Sequence, residues 1–398
     1  MSSPLSLSLP ALPEVVFAML TNPPLVEQWC CETCDIEPKV GGRIYFGWPG
    51  GQFIAGKIEV IEPNRRLVFA WHNPDTLMGE RIQFILLPDH SSTRLDFIHH
   101  ALAADDLPRP TPKRWLDALE NLQSILATGL DLRMIRRPTW GMRAGPLGEG
   151  AAQRLGIPHT NGVIVSLILP GMAGEQAGMQ PQDVIVELDG QTILNGSTVL
   201  GIFDQHTAGD VVGIKFYRDG VLHDTQLTLS PRPVPDFPRT LNDLADRLEK
   251  RHAEQDAIMD DLLANLPEAV LAMAPAENEW SVREVLAHLL FTEHFYQVWT
   301  CHLVMHRPSP YWPMNPPAQR AGFLAAYPTT PALMAALKLA ERMTVAVVRS
   351  VPAEFETYKG SFALFSMELS NKPQHTQVHI EQMQRVLEEA LPKATVSP

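Results

Sequence analysis

The chain has 398 residues, too many for one typical domain and enough for three that each bury a core. A formal charge of −13, with no basic run interleaved with aromatics, argues against a nucleic-acid partner held through its phosphates. No apolar stretch reaches spanning length and the amino terminus is polar and proline-broken, so a cytoplasmic protein without membrane insertion is expected.

Residues 10–130 open with a short apolar helix candidate (Val15, Val16, Met19, Leu20) broken at Asn22-Pro23-Pro24. β-rich runs follow at 43–48, 52–61, 66–71, 79–87 and 92–99, separated by Gly-Gly, Pro-Asn and Pro-Asp-His turns. Thr111 and Pro112 start a helix whose stripe of Trp115, Leu119, Leu122 and Leu126 stops at Gly129. Antiparallel strands closed over one amphipathic helix predict an α+β domain able to enclose a cavity. Cys31-x-x-Cys34 has redox or half-zinc spacing, but no second pair or nearby histidine completes a ligand set. Four cysteines are also too few for a disulfide framework.

The helix-turn region at 17–29, the entry Val40-Gly41-Gly42-Arg43-Ile44-Tyr45, the hairpin at 56–66 with its Ile61-Glu62-Pro63 turn, and the closing helix carry a family resemblance. Residues 1–132 resemble the Bet v 1-like helix-grip (SRPBCC) domains, within them the group similar to the activator of the Hsp90 ATPase. Relatives of this kind enclose apolar ligands, catalyse varied reactions or bind proteins. Trp48, Phe53, Trp71, Phe84 and Phe97 would line such a cavity, or fill a plain core.

Residues 133–232 change character. A strand at 161–169 precedes Pro170-Gly171-Met172-Ala173, Ala177-Gly178-Met179 leads into Gln182-Asp183-Val184-Ile185, and Asp189-Gly190 precedes Thr192-Ile193. A helix at 198–205, a strand at 211–217, the Arg218-Asp219-Gly220 turn and a last strand through Leu229 complete the order. This mainly β segment resembles a bacterial-type PDZ domain. The resemblance implies a carboxylate-binding loop at Trp140, Gly141 and Met142, an edge strand after it, and a protein C-terminal peptide as partner. Such modules accompany serine proteases, but no Gly-x-Ser-x-Gly elbow occurs and neither flanking segment resembles a protease barrel.

The proline-rich linker at 233–239 is stiff, and 240–398 reads as helical. Thr240 with Asp243 caps one helix and Ser281 with Glu284 forms a capping-box signature for a second. A third begins at Thr330-Pro331, and Pro373 is placed in the first turn of a fourth. His375 and His379 share one face of that last helix, and His288 can meet them from a facing one, so three imidazoles would hold a divalent transition metal with a position left open. Imidazoles without a carboxylate triad favour zinc or nickel over iron. Gln382 is a candidate for the surrounding shell, and Glu293 and Glu381 are candidates for that shell or for acid–base work.

The run Glu279-Trp280-Ser281-Val282-Arg283-Glu284-Val285-Leu286-Ala287-His288-Leu289 after Asn278, with His375-x-x-x-His379, resembles the DinB-like (YfiT-like) all-α four-helix metalloproteins. In that family the matching histidines bind divalent metal, and relatives include thiol-cofactor-dependent transferases or isomerases and metal-dependent hydrolases. Two functions are therefore expected to compete. One is a metal-dependent thiol transferase or hydrolase acting on a small apolar or thiol-linked molecule, with a low-molecular-weight thiol as cosubstrate. The other is a non-catalytic scaffold that binds peptide and apolar ligand and keeps a structural metal.

Overall fold

The computed structural model describes residues 5–48, 53–72, 79–100, 112–158, 160–276, 279–309 and 317–394. Thr111, Asn278 and most of the 307–317 loop lie outside the described residues. The chain forms two compact units, one of Met1–Gly129 with Asp236–Pro398 and one of Leu130–Pro235.

The first unit begins with β1 (Leu5–Leu9), α1 (Pro13–Thr21), α2 (Pro23–Glu27) and β2 (Thr33–Ile36). A meander follows, β3 (Arg43–Gly47), β4 (Phe53–Glu62), β5 (Arg66–His72), β6 (Gly79–Asp89) and β7 (Ser92–His100), closed by α3 (Pro112–Thr128). The antiparallel sheet has the order β1-β7-β6-β5-β4-β3-β2. The five meander strands match the β-rich runs of the sequence, and their turns carry Asn64 and His90 at positive φ, a conformation that asparagine, aspartate and histidine adopt more readily than most residues. β1 and β2 were not expected. The Leu5-Ser6-Leu7-Ser8-Leu9 alternation that builds β1 is plain, yet its pairing with β7, Leu5 opposite Phe97, joins residues 92 positions apart and is invisible locally.

Trp115 of α3 lies against Phe46, Phe84 and Phe97, with ring centroids 6.4, 6.3 and 5.7 Å away. Phe53 corrects an expectation: it is 59% exposed and stacks on Tyr45 at 5.9 Å, while its neighbour Ile54 is buried. Strand side chains alternate between faces, so Phe53 and Ile54 cannot both point inward.

The second unit runs α4 (Leu132–Ile135), β8 (Met142–Pro146), α5 (Glu149–Arg154), β9 (Val163–Ile168), α6 (Ala173–Gln176), β10 (Val184–Leu188), β11 (Gln191–Thr192), α7 (Gly196–Phe203), β12 (Val211–Arg218) and β13 (Val221–Thr228). Its sheet has the order β13-β12-β10-β9-β8, with β11 on β10, so β8 is an edge strand. Asn195 caps α7 by accepting from Thr198 N at 3.2 Å. The buried Asp183 carboxylate receives Arg218 at 2.6 and 2.7 Å, tying β12 to the turn before β10.

The rest of the first unit is helical: α8 (Leu241–Leu263), α9 (Glu268–Leu271), α10 (Val282–Val304), α11 (Pro317–Ala326), α12 (Thr330–Ser350), a 3-10 turn (Ala353–Thr357) and α13 (Lys359–Ala394). The long helices close a ring of contacts, α8 on α12, α12 on α10, α10 on α13 and α13 on α8. Pro373 is the second correction. It stands inside α13, fourteen residues after Lys359, rather than in a first turn. An interior proline removes a backbone bond and costs about 3 kcal/mol, which the packed faces on either side, Phe365 and Leu369 before it and Ile380 and Met383 after it, offset. Gln255 Nε2 also donates to the Pro373 carbonyl at 2.6 Å.

The start of α13 docks on the sheet domain. Gln28 Nε2 donates to Ser361 Oγ at 2.9 Å and Arg239 Nη1 to the Thr128 carbonyl at 3.1 Å. Gly129 ends α3 at φ 80°, where an added Cβ would stand 2.6 Å from the Lys359 carbonyl. Both the left-handed backbone and the close helix require glycine there.

Candidate metal centre

α10 is fixed at its start by a complete capping box: Ser281 Oγ accepts from Glu284 N at 3.3 Å and the Glu284 carboxylate accepts from Ser281 N at 2.9 Å. His288 follows within two turns, on the face turned to α13. His375 and His379, four apart on α13, present neighbouring rings. Their Nε2 atoms are 3.1 Å apart, and His288 Nε2 is 3.2 Å from His375 Nε2.

Three nitrogens held about 2.0–2.1 Å from a tetrahedral ion stand roughly 3.3–3.4 Å apart, so this convergence fits an ion at its centre. Hydrogen bonding alone explains it less well, since one Nε2–H on His375 cannot lie linear to both neighbours. His379 Nδ1 is 2.8 Å from Gln382 Oε1; with Nδ1–H donating there, the Nε2 lone pair faces the centre. The Nδ1 atoms of His288 and His375 are buried without a protein partner. Burial, and next to it the neighbouring imidazoles, hold His288 down to about 3. Burial followed by His379 and Lys372 holds His375 down to about 4, and burial lowers His379. All three rings are thereby kept neutral, the form that binds metal.

Trp280 stacks over His379 at 6.3 Å and leans on His288 at 5.3 Å, with the Arg320 guanidinium 4.7 Å above its ring. A cavity of about 470 Å³ opens beside the centre, lined by Trp280, His379, Gln382, Arg385, Glu279 and Glu389. Glu293 does not join the imidazoles. It accepts from Thr344 Oγ1 at 2.7 Å and pairs with Lys372, because five residues of helix turn it away from His288. Glu381 is exposed and accepts from Gln377 at 3.3 Å. His252, Glu341 and Lys372 are buried polar residues that sequence reading missed; the His252-x-x-x-Asp256 spacing on α8 was the available signal.

In the second unit, Gly141 has φ 68° and its carbonyl accepts from Leu169 N at 2.8 Å. The Trp140 ring is buried edge-on to Phe203 at 5.5 Å, and its Nε1 donates to the Met142 carbonyl at 2.8 Å. The tryptophan therefore braces the loop from inside and ties it to α7, while β8 leaves the loop along the sheet edge. An added Cβ on Gly141 would stand 2.2 Å from Met172 Cβ.

In the sheet domain, Trp71, Phe84 and Phe97 are buried, and Phe84 and Phe97 lie 5.3 Å apart. Half-buried Trp48 donates from Nε1 to the Cys30 carbonyl at 2.7 Å. The free thiols of Cys34 and Cys31 are hydrogen-bonded, which with burial raises the Cys34 pKa, the reverse of a reactive cysteine.

Residues 10–127 match the family model of activator of Hsp90 ATPase homolog 1-like proteins, and residues 132–229 match that of the PDZ domain. Among curated proteins, a probable periplasmic serine endoprotease DegP-like of Marinomonas sp. (strain MWYL1) is 31% identical over 99 residues, 25% of this chain and 21% of that protein. A probable periplasmic serine protease do/HhoA-like of Haemophilus influenzae is 29% identical over 100 residues, 25% of this chain and 22% of that protein. The chain thus covers about a fifth of each relative. The solution structure of the Aha1 dimer from Colwellia psychrerythraea is similar at 23% identity and a TM-score of 0.27, over 31% of this chain and 92% of that one.

Proposed function

We propose that this protein is a multidomain binding protein that holds one divalent transition ion on His288, His375 and His379 and receives a peptide carboxy terminus at its PDZ-like loop. On this reading the helical region is a DinB-like metal-binding four-helix bundle. The observation that carries the metal is the convergence of three Nε2 atoms at 3.1–3.2 Å contacts. Cobalt(II) added to ion-free protein tests it, since three imidazoles give a visible tetrahedral-type spectrum. A spectrum matching free aqueous cobalt at one equivalent would refute it.

The peptide role is supported by the PDZ match, the edge position of β8 and the glycine-dependent loop. A free-acid peptide ending in an apolar residue is expected to bind at least tenfold more tightly than its amide, measured by fluorescence anisotropy. Gly141→Ala should remove that difference, and equal affinity for acid and amide would reject the role.

A second reading, metal-assisted hydrolysis, rests on the cavity beside His379, where a water on the ion would meet a small molecule. The ion would lower the pKa of that water, and Gln382 would orient His379. Thiol transfer has no observation of its own behind it. Enclosure of an apolar ligand by the sheet domain is likewise not carried forward, because its inner rings pack on one another.

A further inference from the structure

A second polar group lies inside the helical region, built from one side chain of each long helix: His252 on α8, Glu293 on α10, Glu341 on α12 and Lys372 on α13. Their exposures are 5%, 2%, 3% and 2%. One ligand atom from each of His252, Glu293 and Glu341 lies within 4.8 Å of the others. The Lys372 ammonium sits among them, donating to His252 Nε2 at 3.0 Å and pairing with Glu293 Oε1.

Two features exceed what a structural ion pair needs. One ammonium balances one carboxylate, yet a second buried carboxyl, Glu341, is present with its Oε2 unpartnered. The group also has an entrance, a cavity of about 430 Å³ on the α8–α12 side lined by His252, Asp256, Glu341, Lys338 and Arg342. The cavity beside His379 shares none of these residues and is reached from α13 and the segment before α10.

We infer that His252, Glu293 and Glu341 form a second divalent-cation site, in which the Lys372 ammonium stands where the ion binds. One imidazole with two carboxylates suits manganese(II), iron(II) or zinc. The exchange conserves buried charge. Without the ion, Lys372 is positive, Glu293 negative, and His252 and Glu341 neutral; burial, followed by Glu293 and Asp256, raises the Glu341 pKa to about 9. With the ion, both carboxylates are charged and the lysine is a neutral amine. Two protons therefore leave for each divalent ion that enters. Asp256 on α8 bonds to Glu341, and Glu249 on α8 with Lys338, Arg342 and Arg349 on α12 are the other charged groups lining the entrance.

Calorimetric titration with manganese(II) in buffers of different ionisation enthalpy tests the site in full-length protein carrying His288→Ala, His375→Ala and His379→Ala. This background separates its failure from failure of the three-histidine centre. One ion per chain is expected, with about two protons released. Glu341→Gln should weaken binding at least tenfold. Lys372→Met should strengthen it at least tenfold, an outcome that a purely structural lysine would not give. If the triple variant fails to fold, metal analysis of the unaltered chain replaces it, with two ions expected. No binding by folded triple variant, undiminished binding in Glu341→Gln, one ion in the unaltered chain, or weaker binding in Lys372→Met would overturn the inference.

Discussion

Glu293→Ala is expected to destabilise the ion-free protein by about 3–5 kcal/mol, because it leaves the Lys372 ammonium buried without its carboxylate. Lys372 is 2% exposed, and after that substitution its remaining hydrogen-bond partner is His252 Nε2. An imidazole is neutral or cationic, so His252 cannot supply the missing negative charge. The loss belongs to the orphaned charge, so removing both partners should recover most of it. Urea unfolding of Glu293→Ala, Lys372→Met and the double variant measures the coupling. A double variant as unstable as the sum of the single ones would show that the pair does not act as a unit.

The same interior sets an unusual pH profile for the ion-free protein. His252, His288 and His375 have folded pKa values of about 3, 3 and 4 against an ordinary 6.5. Below pH 6.5 the unfolded chain takes up protons that the folded one refuses, so stability falls as pH drops toward 3–4. His252 alone accounts for on the order of 3–5 kcal/mol across that window. Glu341 acts in the opposite sense. Its folded pKa is raised to about 9 from 4.5, so its contribution is complete below 4.5 and is lost as pH rises through about 9. Stability is therefore expected to peak near pH 7, where the three unfolded imidazoles together bind about one proton against the one that folded Glu341 retains, and Glu341→Gln should remove the fall above it. Denaturant unfolding from pH 4 to 9 decides the matter, and a profile rising steadily to pH 8 would contradict the burial assigned to these groups.

Elements whose signals lie within a few residues were legible in the sequence. The meander strands, α7 and the capping box at Ser281 all depend on alternation, turn residues or a cap four positions long. The pairing of β1 with β7 and the docking of α13 on the sheet domain join segments far apart in sequence, and no local pattern encodes them. Pro373 misled because local preference places proline in a first turn, whereas packing along α13 overrides it. The meeting of His288, His375 and His379 was legible because two of them share one helical face and the third lies on a helix that can face it. Glu293 was assigned to them by proximity on α10, but its azimuth hands it to Lys372. That second group contributes one residue per helix, so its local trace was confined to the His252-x-x-x-Asp256 spacing on α8.

Metal content measures most directly whether the three imidazoles hold an ion. Protein purified without added metal or chelator, analysed by mass spectrometry for zinc, nickel, iron and manganese, is expected to carry a divalent ion at His288, His375 and His379. Folded His375→Ala/His379→Ala protein should carry about one ion per chain less. Equal metal content in the two proteins would contradict the account.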